Sequence, residues 1–145
     1  MADGEPMTEG FRILEHPSDL GIEATGRSLR EVFEYAALGL VSIIADPATI
    51  DPAEQRFVRL EGSDHENLLV KWLSEILYLY DGQQFLTSDV EITRLTAQEL
   101  AAAVTGEPVD ARKHTLKMDV KAITYHQLKV DEREDCCLVR VFVDI

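Results

Sequence analysis

The chain has 145 residues, enough for one domain that buries roughly two-thirds of the surface its unfolded form exposes, so stability requires neither a disulfide nor a structural metal. Its 27 acidic residues against 14 basic ones give a net charge of -13, which disfavours direct nucleic-acid binding through Lys and Arg and favours a basic protein partner, a bound cation or simple solubility. The adjacent Cys136 and Cys137 make no disulfide framework and fit a reducing cytoplasm; no leader-like start appears, and the longest near-apolar run, Ala36 to Ala45, is about half a membrane span.

Residues 1 to 10 read as a loose polar tail and 11 to 145 as one domain. Phe11 to His16 and Leu20 to Thr25 alternate as strands, and Pro17-Ser18-Asp19 kinks the chain between them, because proline removes an amide donor. Ser28-Leu-Arg-Glu31 is a capping box that opens a helix. Leu29, Val32, Phe33, Ala36, Ala37, Leu40, Val41 and Ile44 then follow helical spacing until Asp46-Pro47 stops it. Gln55 to Glu61 reads as a strand. Ser63-Asp-His-Glu66 is a second box, opening a helix with Leu68, Leu69, Trp72, Leu73, Ile76, Leu77 and Tyr80 on its buried side and Gly82 as terminator.

Phe85 to Thr96 and Glu99 to Thr105 are two more strand candidates, with Gln98 to Ala103 equally able to form a helical turn on propensity. Gly106 to Asp110 reads as a loop, and Arg112-Lys113-His114 is the one basic cluster. Lys117 to His126 and Cys137 to Ile145 form an antiparallel hairpin around a solvated turn, Asp131 to Asp135, with Met118, Val120, Ala122 and Thr124 sharing one face of the first strand. The architecture expected is α+β: a mostly antiparallel sheet with two long amphipathic helices packed on one face.

The sequence contains no Gly-rich phosphate loop, Gly-x-Ser-x-Gly elbow, His-Glu-x-x-His or paired-cysteine zinc signature. His16 and Asp19, three apart across the kink, can aim at one point, although turns use such residues commonly. Asp144 sits beside the carboxylate of Ile145, and two anions there ask for a cation, a basic neighbour or water. If Asp19 and Asp144 met at about 4 Å, their repulsion would be on the order of 4 kcal/mol at an effective dielectric of 20. Oxygen-only ligands favour calcium or magnesium over zinc. Lys121 offers a compensating charge, although strand lysines are more often edge residues. His65 reads as an exposed first-turn residue, His114 and His126 lack a carboxylate at a telling spacing, and Cys136 and Cys137 read as inert.

His16-Pro-Ser-Asp-Leu-Gly21, the two capped helices, Leu77-Tyr-Leu-Tyr-Asp81, Asp119-Val-Lys-Ala-Ile-Thr-Tyr-His126 and the terminal Val143-Asp-Ile145 together resemble the archease family, over about Phe11 to Ile145. The resemblance implies a small cytoplasmic protein, itself no enzyme, that activates an RtcB-type RNA ligase. It would promote guanylylation and multiple turnover of that ligase in tRNA splicing or RNA repair. It also implies a metal site, described with Ca2+ and open to Mg2+ or Mn2+, held by Asp19, Asp144 and Ile145, with His16 and Lys121 as nearby support. The chain departs from the family at Pro17-Ser18, commonly Thr-Ala, and at Asp119, commonly Glu, so Asp119 is not carried over. Two other readings use the same residues: a metal-dependent phosphodiester hydrolase with His16, His114 or His126 as general base, and a non-catalytic interaction module whose carboxylates are solvated ends.

Overall fold

Local hydrogen bonding sets both helix starts in the computed structural model, which describes residues 9–15 and 19–145. The elements run β1 (Gly10–Glu15), β2 (Asp19–Gly26), α1 (Leu29–Ile44), β3 (Glu54–Glu61), α2 (His65–Asp81), β4 (Phe85–Leu95), β5 (Glu99–Pro108), β6 (Ala122–Arg133) and β7 (Cys136–Asp144). Most of the expected tail lies outside the described residues, as do His16, Pro17 and Ser18 at the kink. At α1 the Ser28 hydroxyl accepts from the Glu31 amide at 3.1 Å, and the Glu31 carboxylate reaches back to the Arg27 amide at 3.2 Å. At α2 the cap is Asp64 rather than Ser63: its carboxylate accepts from the Asn67 amide at 2.8 Å, and Asn67 returns an acceptor to the Ser63 amide at 3.1 Å. An aspartate one residue downstream does the serine's work with a charged acceptor.

The α+β class holds, and every strand pair is antiparallel. The strands divide into two sheets, a four-stranded one in the order β1-β2-β7-β6 and a three-stranded one in the order β3-β5-β4. Both helices touch both sheets, α1 meeting β1, β2, β7 and β4, and α2 meeting β6 and all three strands of the smaller sheet. That double contact buries more than one stripe of each helix, so Gly39 and Ile43 of α1 and Val70 and Leu79 of α2 are buried beside the periodic positions. Tyr80, expected among them, is only half-buried. At Gly39 an added Cβ would stand 2.8 Å from Cγ2 of Ile22, so glycine lets α1 approach the larger sheet. The helices are tied together where the buried Trp72 indole donates to the Phe33 carbonyl at 2.9 Å.

Several boundaries differ from the expectations. β5 continues through Gly106, Glu107 and Pro108, which pair with Thr87, Leu86 and Phe85, where a loop was expected; residues 99–103 are strand, not a helical turn. The hairpin turn is Glu134-Asp135, with Asp135 at φ 60, and Asp131 to Arg133 stay paired in β6. Residues 117–121 are not strand. Lys117 instead closes α1: its amide donates to the Ile44 carbonyl and its ammonium to the Ser42 carbonyl, both at 2.8 Å. The helix has no base in its own last turn, so this distant lysine meets its negative end. Met118 is therefore exposed while Val120 is buried.

Two members of the basic cluster, Lys113 and His114, are consumed internally. The Lys113 ammonium bridges Asp51 at 2.6 Å and Glu107 at 2.8 Å, and the buried His114 places Nε2 2.8 Å from the same Glu107 carboxylate. Nδ1 of His114 accepts from the Asp110 amide at 2.9 Å, which assigns the proton to Nε2 and makes it a donor to Glu107. The Asp51 amide, the Lys113 ammonium and His114 hold the Glu107 carboxyl at about 2, against an ordinary 4.5. A carboxyl depressed on folding stabilises above its unfolded value and loses that contribution as pH falls through its folded one. We expect the thermal midpoint to decline with acid between those limits, and Glu107→Gln to show a shallower decline in midpoints measured across that range. Equal slopes for the two proteins would contradict the assignment.

Candidate functional site

Antiparallel pairing of β2 with β7 sets the first residue of one strand against the last of the other. Asp19 is the direct partner of Asp144, and Asp144 is in turn the partner of Ala122 at the start of β6. Directly opposed residues have Cβ atoms about 4.5–5.5 Å apart on one face, so the two carboxylates share one end of the larger sheet. Asp144 is exposed and Asp19 half-buried. The Lys121 amide donates to the Asp144 carbonyl at 2.8 Å, which fixes the backbone entry to β6 against the same residue. Of the residues marked out in the sequence, Asp19, Asp144 and Lys121 are thus brought together, Ile145 follows directly, and His16 lies outside the described residues.

One row inward on the same face, Leu14, Gly21, Phe142 and Thr124 are register partners. Phe142 is buried although it faces away from the helices, and a Cβ on Gly21 would stand 2.8 Å from its ring. The glycine two residues after Asp19 therefore gives the Phe142 ring its seat. The His126 ring meets Phe142 edge-on, with centroids 6.3 Å apart and planes at 63°. His126 reaches that position because the β6–β7 register shifts between Thr124 and Lys129, which leaves Tyr125 to Leu128 out of the ladder. Sequence spacing carried no sign of Phe142 or His126 here; the regular β2–β7 register places Phe142, and the irregularity in β6 brings His126 to it.

A second row inward carries charge. Glu23 lies between Arg12 on β1 and Arg140 on β7, its register partners. Arg12 donates through Nε at 2.8 Å, and Arg140 donates through Nε and Nη2 at 2.9 and 2.6 Å. Burial pushes the Glu23 carboxyl up, but the hydrogen bonds and charges of Arg140 and Arg12 outweigh it and leave the group below its ordinary value. Burial and the carboxylates of Asp119 and Asp81 push the Tyr80 hydroxyl up, which places Asp119 beside α2. His114 serves the Glu107 network described above, and His65 opens α2.

No three His, Cys, Asp or Glu side chains gather into a metal-ligating cluster among the described residues. The acidic row offers two carboxylate side chains and backbone oxygens, a donor set suited to a hard cation and lacking the nitrogen or sulfur that zinc prefers. No helix among the described residues is long and apolar enough to cross a membrane.

Residues 11–145 match the model of the Archease protein family. The chain is 40% identical over 136 residues to protein archease of Saccharolobus islandicus, covering 93% of this chain and 98% of that protein. Identity to the Sulfurisphaera tokodaii protein of the same name is 36% over 139 residues, with the same coverages. Among solved structures, protein 1598 of Methanobacterium thermoautotrophicum superposes with a TM-score of 0.79 at 27% identity, covering 95% of this chain and all of that one. An archease of Thermotoga maritima, described as a possible chaperone, shares the fold at a TM-score of 0.65 and 20% identity, covering 97% and 99% of the two chains.

Proposed function

Since this chain belongs to the archease family, we propose that it is a cytoplasmic, non-catalytic activator of an RtcB-type RNA ligase, promoting the ligase's guanylylation and multiple turnover in tRNA splicing or RNA repair. The observation that carries the reading is the pairing of Asp19 with Asp144 across β2 and β7. Two carboxylates directly opposed at the end of a sheet offer a hard divalent cation two oxygen ligands on one face. In this reading Asp19, Asp144 and Ile145 hold one divalent ion, Ca2+ by preference with Mg2+ or Mn2+ accepted. Lys121 fixes the β6 entry behind Asp144, and His16 takes the supporting role that the family resemblance gives it. The ion supplies fixed positive charge that orders the strand ends.

Gly21 and Phe142 hold the two strands in the register that opposes the carboxylates. The ligase meets this end of the molecule, and the chain's net charge of -13 complements a basic, RNA-binding partner and speeds encounter more than it tightens binding. RNA is left to the ligase.

The test pairs two readouts. Calcium binding by calorimetry and guanylylation of the ligase of the same source are measured for the wild type, Asp19→Ala and Asp144→Asn. Each substitution is expected to weaken calcium binding at least tenfold and to abolish stimulation at substoichiometric protein, with a single cooperative thermal transition in calcium-free buffer showing that the fold is kept. Full stimulation by both variants would sink the metal site, and no stimulation by the folded wild type would sink the activator reading.

A further inference from the structure

The smaller sheet has a face that no described element covers. Its inner side carries Val58, Ile92, Ala102 and Val104, all buried. Its outer side is built in register rows across β3, β5 and β4: Gln55, Thr105 and Asp89; then Phe57, Ala103 and Glu91; then Arg59, Ala101 and Arg94. Glu61 and Glu99 form the next row, with Glu99 2.9 Å from Arg94. Phe57 is 80% exposed, the most exposed of the large apolar side chains described. The middle strand carries alanines, so Ala101 floors a shallow groove of about 390 Å³ between Phe57 and Arg59 on one side and Thr93 and Arg94 on the other.

We propose that this face is a homodimer interface, closed by a two-fold axis that crosses the strands between the Phe57–Ala103–Glu91 row and the Arg59–Ala101–Arg94 row. Such an axis lays each of these rows on the other row of the second copy, and every contact occurs twice. Glu91 then meets Arg94 of the second copy, and Phe57 meets Arg59, a guanidinium over a ring. Ala103 meets Ala101, so the sheets approach closely. Gln55 meets Glu61, and the Thr105 hydroxyl meets the Glu99 carboxylate. An axis running along the strands would set Arg59 against Arg94, so the charges select the crossing axis.

The sheets remain aligned within the angle usual for face-to-face packing. Three strands about 4.8 Å apart and eight residues at about 3.4 Å give a patch of roughly 14 by 27 Å. That buries on the order of 1,000 Å² in total, below the size of most stable interfaces and in the range of weak, transient ones, so the dimer is expected to form at micromolar and higher concentrations. Physiological salt screens repulsion between the two acidic chains beyond about 8 Å.

Sedimentation velocity on the full chain, from about 1 to 300 μM at physiological salt, tests this through charge exchange. Phe57→Ala, Glu91→Arg and Arg94→Glu are each expected to weaken the dimer by about tenfold or more. An equimolar mixture of Glu91→Arg with Arg94→Glu is expected to form heterodimers within about threefold of wild-type affinity, since both cross-interface pairs are restored in that mixture alone. All three side chains are exposed, so folding is checked by a single cooperative thermal transition, with a modest drop in midpoint expected for Arg94→Glu alone as its exposed pair with Glu99 is lost. A wild type monomeric across the range overturns the proposal. So does a dimer indifferent to these variants, as pairing along the open β3 edge would be, and so does a mixture that stays monomeric.

Discussion

Gly106→Ala is expected to destabilise the protein by about 3 kcal/mol, the upper end of what overpacking one methyl costs. At this chain length that lowers the thermal midpoint by about 10 °C. The added Cβ would collide with the Leu86 carbonyl oxygen and stand 3.0 Å from Cα of Thr87. Both obstacles are backbone, so no rotamer change relieves them. The cause is the register shift between Thr87 and Asp89, which draws β4 in against β5 at this residue. Gly82→Ala is the control: its Cβ would meet only the ring of Tyr78, which is half exposed and free to swing, and Gly82 has an ordinary right-handed φ of -92. That substitution is expected to change stability by less than about 1 kcal/mol, with a gain available from the stiffer unfolded chain. Thermal melts of the two variants side by side decide the matter; equal midpoints would show that the β4–β5 bulge relaxes freely.

Glu23→Ala is expected to cost about 2–3 kcal/mol. Removing one partner of a buried ion pair costs roughly 3–5 kcal/mol, because the remaining charge is stranded. Here the loss is smaller, because Arg12 and Arg140 side chains, 70% and 36% exposed, can turn to water once the carboxylate is gone. Glu23→Gln keeps two acceptor lone pairs but no charge and is expected to fall between alanine and the wild type. The sign with pH follows from the lowered carboxyl: the contribution is complete above the unfolded value of 4.5 and is lost in more acid solution. Denaturant unfolding at neutral and acid pH measures both effects. An alanine variant as stable as the wild type at neutral pH would mean that the three-strand charge row contributes only specificity.

The substitutions most readable from sequence are those whose partners lie within a turn of helix. The Ser28 cap, the Asp46-Pro47 stop and the buried stripes of α1 and α2 all follow from contacts three or four residues apart, and the structure contains them. The displaced cap at Asp64 belongs to the same class, since two acceptors one residue apart competed for the same amides and the charged one won. Strand assignments followed period-two alternation and were correct for the described part of β1 and for β2, β3 and β4. They failed from Gly106 to Pro108 and at Asp131 to Arg133, where polar or turn-forming residues stay in the ladder because β4 and β7, respectively, supply partners.

The acidic row was legible only in part. Asp19 and Asp144 were marked by motif and by position, but alternation states which face a residue takes and is silent on which strand lies beside it. The rest of that face was invisible for the same reason: Phe142 over Gly21, His126 lifted out of β6, and Glu23 between two arginines from different strands.

By itself, then, the sequence determined the α+β class, both helices with their starts and stops, and the acidic character of the surface, because each depends on local hydrogen bonds, side-chain periodicity or a sum of charges. Tertiary structure alone decided the partition into two sheets, the register that opposes Asp19 to Asp144, the use of Lys117 to close a distant helix, and the bare face around Phe57. Those features join residues far apart in the chain, and their pairing is chosen by which buried side chains fit together when two helices must cover two sheets at once.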